Sequence, residues 1–266
     1  LPHDAPSESA SHIADLELIE ESARAAGQVA LSHFRTAVEQ WEKPGNAGPV
    51  SAADLAVNAV LHERLRKARP GYGWLSEEDD DSHDRLRTSR VFVVDPIDGT
   101  RAFLEGKEGF SVCVAVVEHG MPTAAVVHLP ARQETYTAVI GRGAHLNGTR
   151  LSASKRTGLD GATMLINSSH LKPEFWPGGV PPVERHFRSS LAWRLCLVAS
   201  GRFDTLATMR VAHEWDVASG VLIAGEAGAL VTGRSGEKIT LNDPEPRVPG
   251  LIVAPPALHA ALLKRR

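Results

Sequence analysis

Four apolar residues, Val91-Phe92-Val93-Val94, run without a break into Asp95-Pro96-Ile97-Asp98-Gly99-Thr100. An unbroken apolar run of that length reads as a strand buried on both faces. The chain must therefore carry a core strand to an end on two carboxylates. Such a sequence needs cover on both sides of a sheet, and it needs a reason to place charge at the edge of the core. With 266 residues there is enough chain for one large domain or two small ones sharing an interface.

The segments around this strand supply the cover. Leu16, Ile19, Ala23, Ala26 and Ala30 recur at helical spacing between Asp15 and Phe34. A Gly/Pro-rich loop from Pro44 to Pro49 follows, then Ser51-Ala52-Ala53-Asp54, whose spacing predicts a capping box at the start of a second helix carrying Val57, Leu61 and Leu65. Beyond the central strand, Ser111 to Glu118 and Thr123 to His128 read as an antiparallel pair turning at His119 to Pro122. Glu134 to Ile140 reads as a further strand, closed by a loop from Gly141 to Gly148. In the second half, Met164 to Ile166 and Leu251 to Ala254 are strand-like, Pro173 to Pro182 is a loop with four prolines, and helices are expected over Ser190 to Ser200 and Asp216 to Ala227. The class is mixed α/β (α+β). The expected division is an N-terminal α+β half, 1–152, bearing the acidic motifs, and a C-terminal α/β half, 153–266, completing the site.

A net charge of -3 gives no basic surplus for a nucleic-acid polymer or an anionic membrane, and no apolar run is long enough to span a bilayer. The opening residues lack the order of a secretory signal. Two cysteines in apolar surroundings, Cys113 and Cys196, read as buried reduced thiols, so a cytoplasmic protein is expected.

A strand ending in two carboxylates three residues apart, bent by proline, can aim Asp95, Asp98 and the Ile97 carbonyl at one point. An all-oxygen set suits a hard cation such as Mg2+ or Mn2+. Gly99 and Thr100 then offer backbone N–H groups to an anion. Asp before a helix start is also a common cap, so the motif alone leaves that alternative open. Two further acidic signals weigh against it: Glu77 in Leu75-Ser76-Glu77-Glu78, at a strand end upstream, and Asp216 in Trp215-Asp216-Val217-Ala218, itself an alternative helix cap. Asp79 to Asp81 reads as a solvated charge run. No P-loop, H-E-x-x-H or paired C-x-x-C competes.

Pro49-Val50-Ser51-Ala52-Ala53-Asp54, Ser76-Glu77-Glu78, Asp95 to Thr100, Gly141 to Gly148, Ser200 to Asp204 and Trp215 to Gly220 together resemble, in order, the Mg2+-dependent, lithium-sensitive phosphatases. These are inositol monophosphatase and its relatives, including the 3'(2'),5'-bisphosphate nucleotidases. The resemblance implies a layered α/β/α/β/α sandwich with the site between its halves, and a homodimer. It implies two Mg2+ ions, a third being a guess near Glu77, with Mn2+ as a substitute. Glu77, Asp95 and the Ile97 carbonyl would hold the first, and Asp95, Asp98 and Asp216 the second. The phosphate would lie against the metals and the Gly99 and Thr100 amides, with Glu77, Asp98, Arg101 and Asp216 in the substrate site. Thr100, supported by Asp54 and helped by Glu77, would orient or deprotonate the attacking water.

Ser76-Glu77-Glu78-Asp79 and the basic residue in Gly99-Thr100-Arg101 lean toward the bisphosphate nucleotidase branch, with 3'-phosphoadenosine 5'-phosphate as the favoured substrate. Inositol phosphatases carry a ring-binding glutamate seven residues before the Trp-Asp aspartate. Here that residue is Met209, whose thioether cannot hold hydroxyls in that way. Arg101 and Arg194 are candidates for a second phosphate or a base. Inositol and other sugar or polyol phosphates stay open, as does a non-catalytic phosphate-binding sensor.

Overall fold

The computed structural model describes residues 8–42 and 48–266, so most of the loop expected from Pro44 lies outside the described residues. Helix α1 (Glu8–His33) is followed by a small antiparallel pair, β1 (Gln40–Glu42) and β2 (Pro49–Ser51), and by helix α2 (Ala52–Ala68). The capping box is present at Ser51: the Asp54 carboxylate accepts the Ser51 amide at 2.8 Å and its hydroxyl at 2.6 Å.

A seven-stranded sheet follows, its strands neighbouring one another in chain order. They are β3 (Gly73–Ser76), β4 (Arg90–Asp98), β5 (Ser111–Glu118), β6 (Met121–Leu129), β7 (Glu134–Val139), β8 (Gly143–Leu146) and β9 (Thr149–Arg150), with the short helix α3 (Thr100–Leu104) between β4 and β5. Only β3 and β4 pair in parallel within it. Two expectations shift here. The turn after β5 is the two-residue His119-Gly120, with φ of 49° and 77°, so Met121 and Pro122 belong to β6. The stretch from Gly141 to Gly148 is not a single loop, because β8 runs through its middle and pairs with β7.

A second, five-stranded sheet has the order β11-β10-β12-β16-β14. Along the chain come β10 (Ala162–Leu165), β11 (Val183–His186), helix α4 (Leu191–Ala199), β12 (Thr205–Thr208), β13 (Ala212–His213), helix α5 (Glu214–Glu226), β14 (Leu230–Gly233), β15 (Arg247–Val248), β16 (Leu251–Ala254) and helix α6 (Pro256–Leu263). β13 and β15 form a small separate pair.

Side chains alternate across β4 to β6 and so divide the core. Phe92, Val94, Val112, Val114 and Val126 pack against Ile19, Ala23, Val57 and Leu61 of α1 and α2. Val91, Val93, Ala115, Val117 and Val127 face the other way, onto Leu195, Val198, Val217 and Ile223 of α4 and α5, which rest in turn on Leu206, Leu251 and Val253. The far face of the second sheet meets Leu258 and Leu262 of α6. The order of layers is α/β/α/β/α. Among the described residues no helix is long and apolar enough to cross a membrane.

Candidate active site

In a regular strand, Asp95 and Asp98 would point to opposite faces, because side chains three residues apart have opposite parity. β4 avoids this with a bulge. Asp95 pairs with Cys113 and Asp98 with Ser111, so three steps on β4 match two on β5. Pro96 sits inside the irregularity, where no ladder donor is required. The two carboxylates therefore lie within the strand's bulged end, because β4 runs on to Asp98 and not, as expected, only to Val94. Gly99 then takes φ +98°, with the Gly109 carbonyl 3.0 Å from where a Cβ would stand, and α3 begins at Thr100.

Asp98 accepts the Ser190 hydroxyl at 2.6 Å, the Ala192 amide at 2.7 Å and the Leu191 amide at 3.3 Å. A carboxylate on the first sheet is thus held by the first turn of α4, which it complements as an anion. Ser190 was legible as the start of α4, but this grip on Asp98 was not. α5 begins two residues before the start expected at Asp216, so Asp216 is its third residue, and its carboxylate accepts the His213 amide at 2.9 Å. Asp95, Asp98 and Asp216 each bring an oxygen within 4.8 Å of the other two. Glu77 follows β3, its amide donating to the Val94 carbonyl at 3.2 Å. It stands outside that triangle, although its charge acts on Asp95, Asp216 and Asp54.

Burial and then mutual repulsion shape the electrostatics. Asp95 is pushed well above the usual carboxylate range by burial and by Glu77, Asp98 and Asp216. Asp216 is pushed up to about 8 by burial and by Asp98 and Glu77. Burial raises Asp98 too, against the opposing hydrogen bonds from Ser190 and Ala192. Asp95 Oδ1 is buried without a hydrogen-bond partner among the described residues. A carboxylate with one orphaned oxygen, grouped with two further carboxylates, fits a hard divalent cation, and the donor set is all oxygen.

Thr100 completes the line to Asp54. Its hydroxyl lies 3.2 Å from Asp54 Oδ1 and 3.1 Å from the Ile97 carbonyl oxygen. Asp54 is buried and its proton affinity is raised, chiefly by burial. Glu77, Asp98, Gly99, Thr100 and Arg101 line one cleft of about 490 Å³ together with Lys107, Phe187 and Ser189. Arg194 lies beneath it, within electrostatic reach of Asp98 and Asp216. Met209 is elsewhere: it is fully buried with Met164, Ile252 and Leu258, so its side chain contributes nothing to the cleft.

The acidic run after Glu78 is not merely solvated. Asp79 accepts from Asn58 at 2.9 Å and from the Trp74 indole at 2.6 Å. Asp81 pairs with the buried Arg85 at 2.7 Å. Arg85 also donates to Asn242 Oδ1 at 2.6 Å and to the Asp243 carbonyl at 2.9 Å. The amides of those two residues are held by the buried Glu214, two residues before Asp216. Arg85 thereby ties the loop after Glu77 to the helix start bearing Asp216, and no sequence motif announced it. Cys113 and Cys196 are buried and unpaired, and burial pushes both thiols up, which leaves them unreactive.

The sequence profile described as the inositol monophosphatase family matches residues 14–266. The chain is 37% identical over 202 residues to the inositol-1-monophosphatase of Rhizobium meliloti, spanning 72% of this chain and 74% of that one. It is 30% identical over 220 residues to the fructose-1,6-bisphosphatase/inositol-1-monophosphatase of Thermotoga maritima, spanning 81% and 83%. The crystal structure of the extragenic suppressor protein suhB from Bartonella henselae superposes with a TM-score of 0.79 at 27% identity, over 95% of this chain and 98% of that one.

Proposed function

The chain belongs to the inositol monophosphatase family, and from that premise we propose that it is a Mg2+-dependent phosphomonoesterase acting on a small phosphorylated metabolite. The convergence of Asp95, Asp98 and Asp216, with one Asp95 oxygen buried and unpartnered among the described residues, carries the reading. Glu77, Asp95 and the Ile97 carbonyl would hold one Mg2+, and Asp95, Asp98 and Asp216 a second. Bound metal of this kind neutralises the phosphate and makes water acidic enough to attack near neutral pH. The protein's own groups do the rest. Thr100 holds the attacking water through its hydroxyl and passes a proton toward Asp54, whose raised affinity suits it to receive one. Glu77 lies on the same cleft and helps orient that water. Gly99 and Thr100 line the cleft, and their amides would receive the phosphate. The grip of Ser190 and the α4 amides fixes the Asp98 carboxylate in one orientation, so little reorganisation is needed when charge develops.

The preferred ester carries a second anionic group, with 3'-phosphoadenosine 5'-phosphate the favoured case. Arg101 on the cleft wall and Arg194 behind Asp98 support this by offering cations beyond the metal cluster, whereas Lys107 on the same wall is paired with Glu105. Inositol 1-phosphate is the second reading, favoured by the names of the relatives at 37% and 30% identity. The reaction belongs in the cytoplasm, where the two unpaired cysteines stay reduced, and we expect a homodimer by sedimentation.

Phosphate release with Mg2+ should be measured on 3'-phosphoadenosine 5'-phosphate, myo-inositol 1-phosphate, fructose 1,6-bisphosphate and histidinol phosphate, each with and without lithium. Release that stops in EDTA and returns with Mg2+ is expected, fastest on the bisphosphates. Fastest release from the inositol ester would replace the bisphosphate preference. Metal binding with no release from any ester would overturn catalysis in favour of a phosphate-binding sensor.

A further inference from the structure

Phe187 is 44% exposed, an unusual setting for a large apolar ring beside a cluster of charges. A lone exposed phenylalanine needs no explanation on an ordinary surface. This one lies on the wall of the catalytic cleft, in company with Thr100, Arg101 and Ser189. Its neighbours are turned away. His186 meets the Phe203 ring edge-on at 5.0 Å, and the Arg188 guanidinium lies 5.5 Å from the same ring. An extended chain alternates sides, so anchoring 186 and 188 on Phe203 presents 187 opposite, into the cleft.

Phe187 also has a cation against it. The Arg194 guanidinium carbon is 5.3 Å from its ring centroid. Arg194 is held in turn by its Nε, which donates to the Ser190 carbonyl at 3.2 Å, and by the field of Asp98 and Asp216. The ring is thus backed by a cation fixed to the same helix start that fixes Asp98. What remains uncovered is apolar, flat and a short reach from the reacting phosphate. A polyol pressed there would lose hydration of its hydroxyls for no hydrogen bond in return. A planar heteroaromatic ring has a π-face to stack and no such penalty.

We infer that Phe187, backed by Arg194, is a stacking platform for a planar heteroaromatic group on the alcohol side of the ester, so that the preferred substrate is a phosphorylated nucleoside. This rests on the cleft being the phosphatase site and deepens that reading. Phe187 sets specificity and takes no part in bond breaking.

Two measurements test it on the full-length protein with Mg2+. The first is calorimetric affinity for adenosine 5'-phosphate against ribose 5-phosphate, which differ by the base alone. The second is kcat/KM for 3'-phosphoadenosine 5'-phosphate against the same sugar bisphosphate without its base. The wild-type protein should favour the base-bearing member about tenfold or more in both. Phe187→Ala should bring both ratios close to one, with the larger loss falling on the base-bearing members, and Phe187→Tyr should keep most of the preference. Absence of a preference in the wild type, or an undiminished one in Phe187→Ala, overturns the platform even if every ester is hydrolysed. A base preference in binding that Phe187→Ala removes, without release from any ester, upholds the platform and overturns the phosphatase reading instead.

Discussion

The seven-stranded sheet is covered on its two faces by helix pairs of opposite character. The outer pair, α1 and α2, lays alanine, valine and leucine on Phe92, Val94 and Val114. The inner pair, α4 and α5, is packed as tightly but brings Asp98, Glu214, Asp216 and Arg194 into the same layer. One layer stabilises the sheet by burying apolar surface. The other uses its helix starts to hold carboxylates where water is scarce. The lesson is that a charged site can sit inside a core when backbone amides and neighbouring hydroxyls satisfy most of its oxygens. The unsatisfied remainder is left for a ligand.

The sharpest way to break this contrast is Asp98→Asn. It keeps the shape and removes the charge, and we expect activity to fall at least about a hundredfold. The amide cannot accept all three bonds from α4, so a stability loss of about 1–3 kcal/mol should accompany it. Asp98→Asn turning over substrate at the wild-type rate would remove Asp98 from the metal site.

The pH dependence of stability should also separate the layers. Asp216 has a folded value of about 8, above its ordinary 3.8. It therefore contributes stability that is complete below pH 4 and is lost as pH rises through 8. In EDTA the melting temperature should fall by on the order of 5 °C or more between pH 5.5 and 8.5. Mg2+ should abolish that fall, and Asp216→Asn should lessen it without metal, the remainder coming from Asp95 and Asp98. His128, packed under α1, behaves oppositely: burial lowers it to about 4, so its contribution is complete above 6.5 and lost as pH falls through 4. A metal-free protein most stable at pH 8.5 would contradict the assignment of Asp216.

The smallest effect separates two glycines. A Cβ on Gly220 of α5 would stand 2.6 Å from Leu195 Cβ on α4, whereas one on Gly27 of α1 would meet the tip of the His128 ring at 2.6 Å. Alanine in a helix gains about 1 kcal/mol over glycine, and overpacking costs about 1–3 kcal/mol. Gly220→Ala should lose about 1–2 kcal/mol by thermal melting, because a Cβ cannot swing aside. Gly27→Ala should come out near neutral, because a ring can. Reversal of that order would mean the inner helices yield more readily than the outer pair.

The outer layer was nearly all legible beforehand, because Ile19, Ala23, Ala26 and Ala30 announce their own face by spacing. The site carboxylates were legible too, since Asp95, Asp98 and Thr100 are neighbours in the chain and Glu77 and Asp216 lie in recognisable motifs. The means of aiming them were not. The bulge that turns Asp95 and Asp98 to one side depends on how β5 pairs with β4. The hydroxyl steadying Asp98 comes from Ser190, 92 residues away. Asp79 and Asp81 read as solvated because their partners, Asn58, Trp74 and Arg85, meet them only once the chain is folded. Met209 was legible as the place where a ring-binding glutamate is missing, but not as a fully buried core residue, because sequence position carries no information on which way a side chain turns.

Arg85 has a consequence in time as well as in space. Its partners Asn242 and Asp243 are 157 and 158 residues further along the chain. At about 5–20 residues per second of synthesis, the ribosome delivers them roughly 8 to 30 s after Arg85 itself. For that interval a growing chain whose first sheet has formed holds a guanidinium without its last two acceptors. The loop carrying Glu77 is then not yet tied to the segment that bears Asp216. A chain halted before residue 242 lacks both acceptors and also β16, which sits between β12 and β14, so neither this tie nor the second sheet is complete.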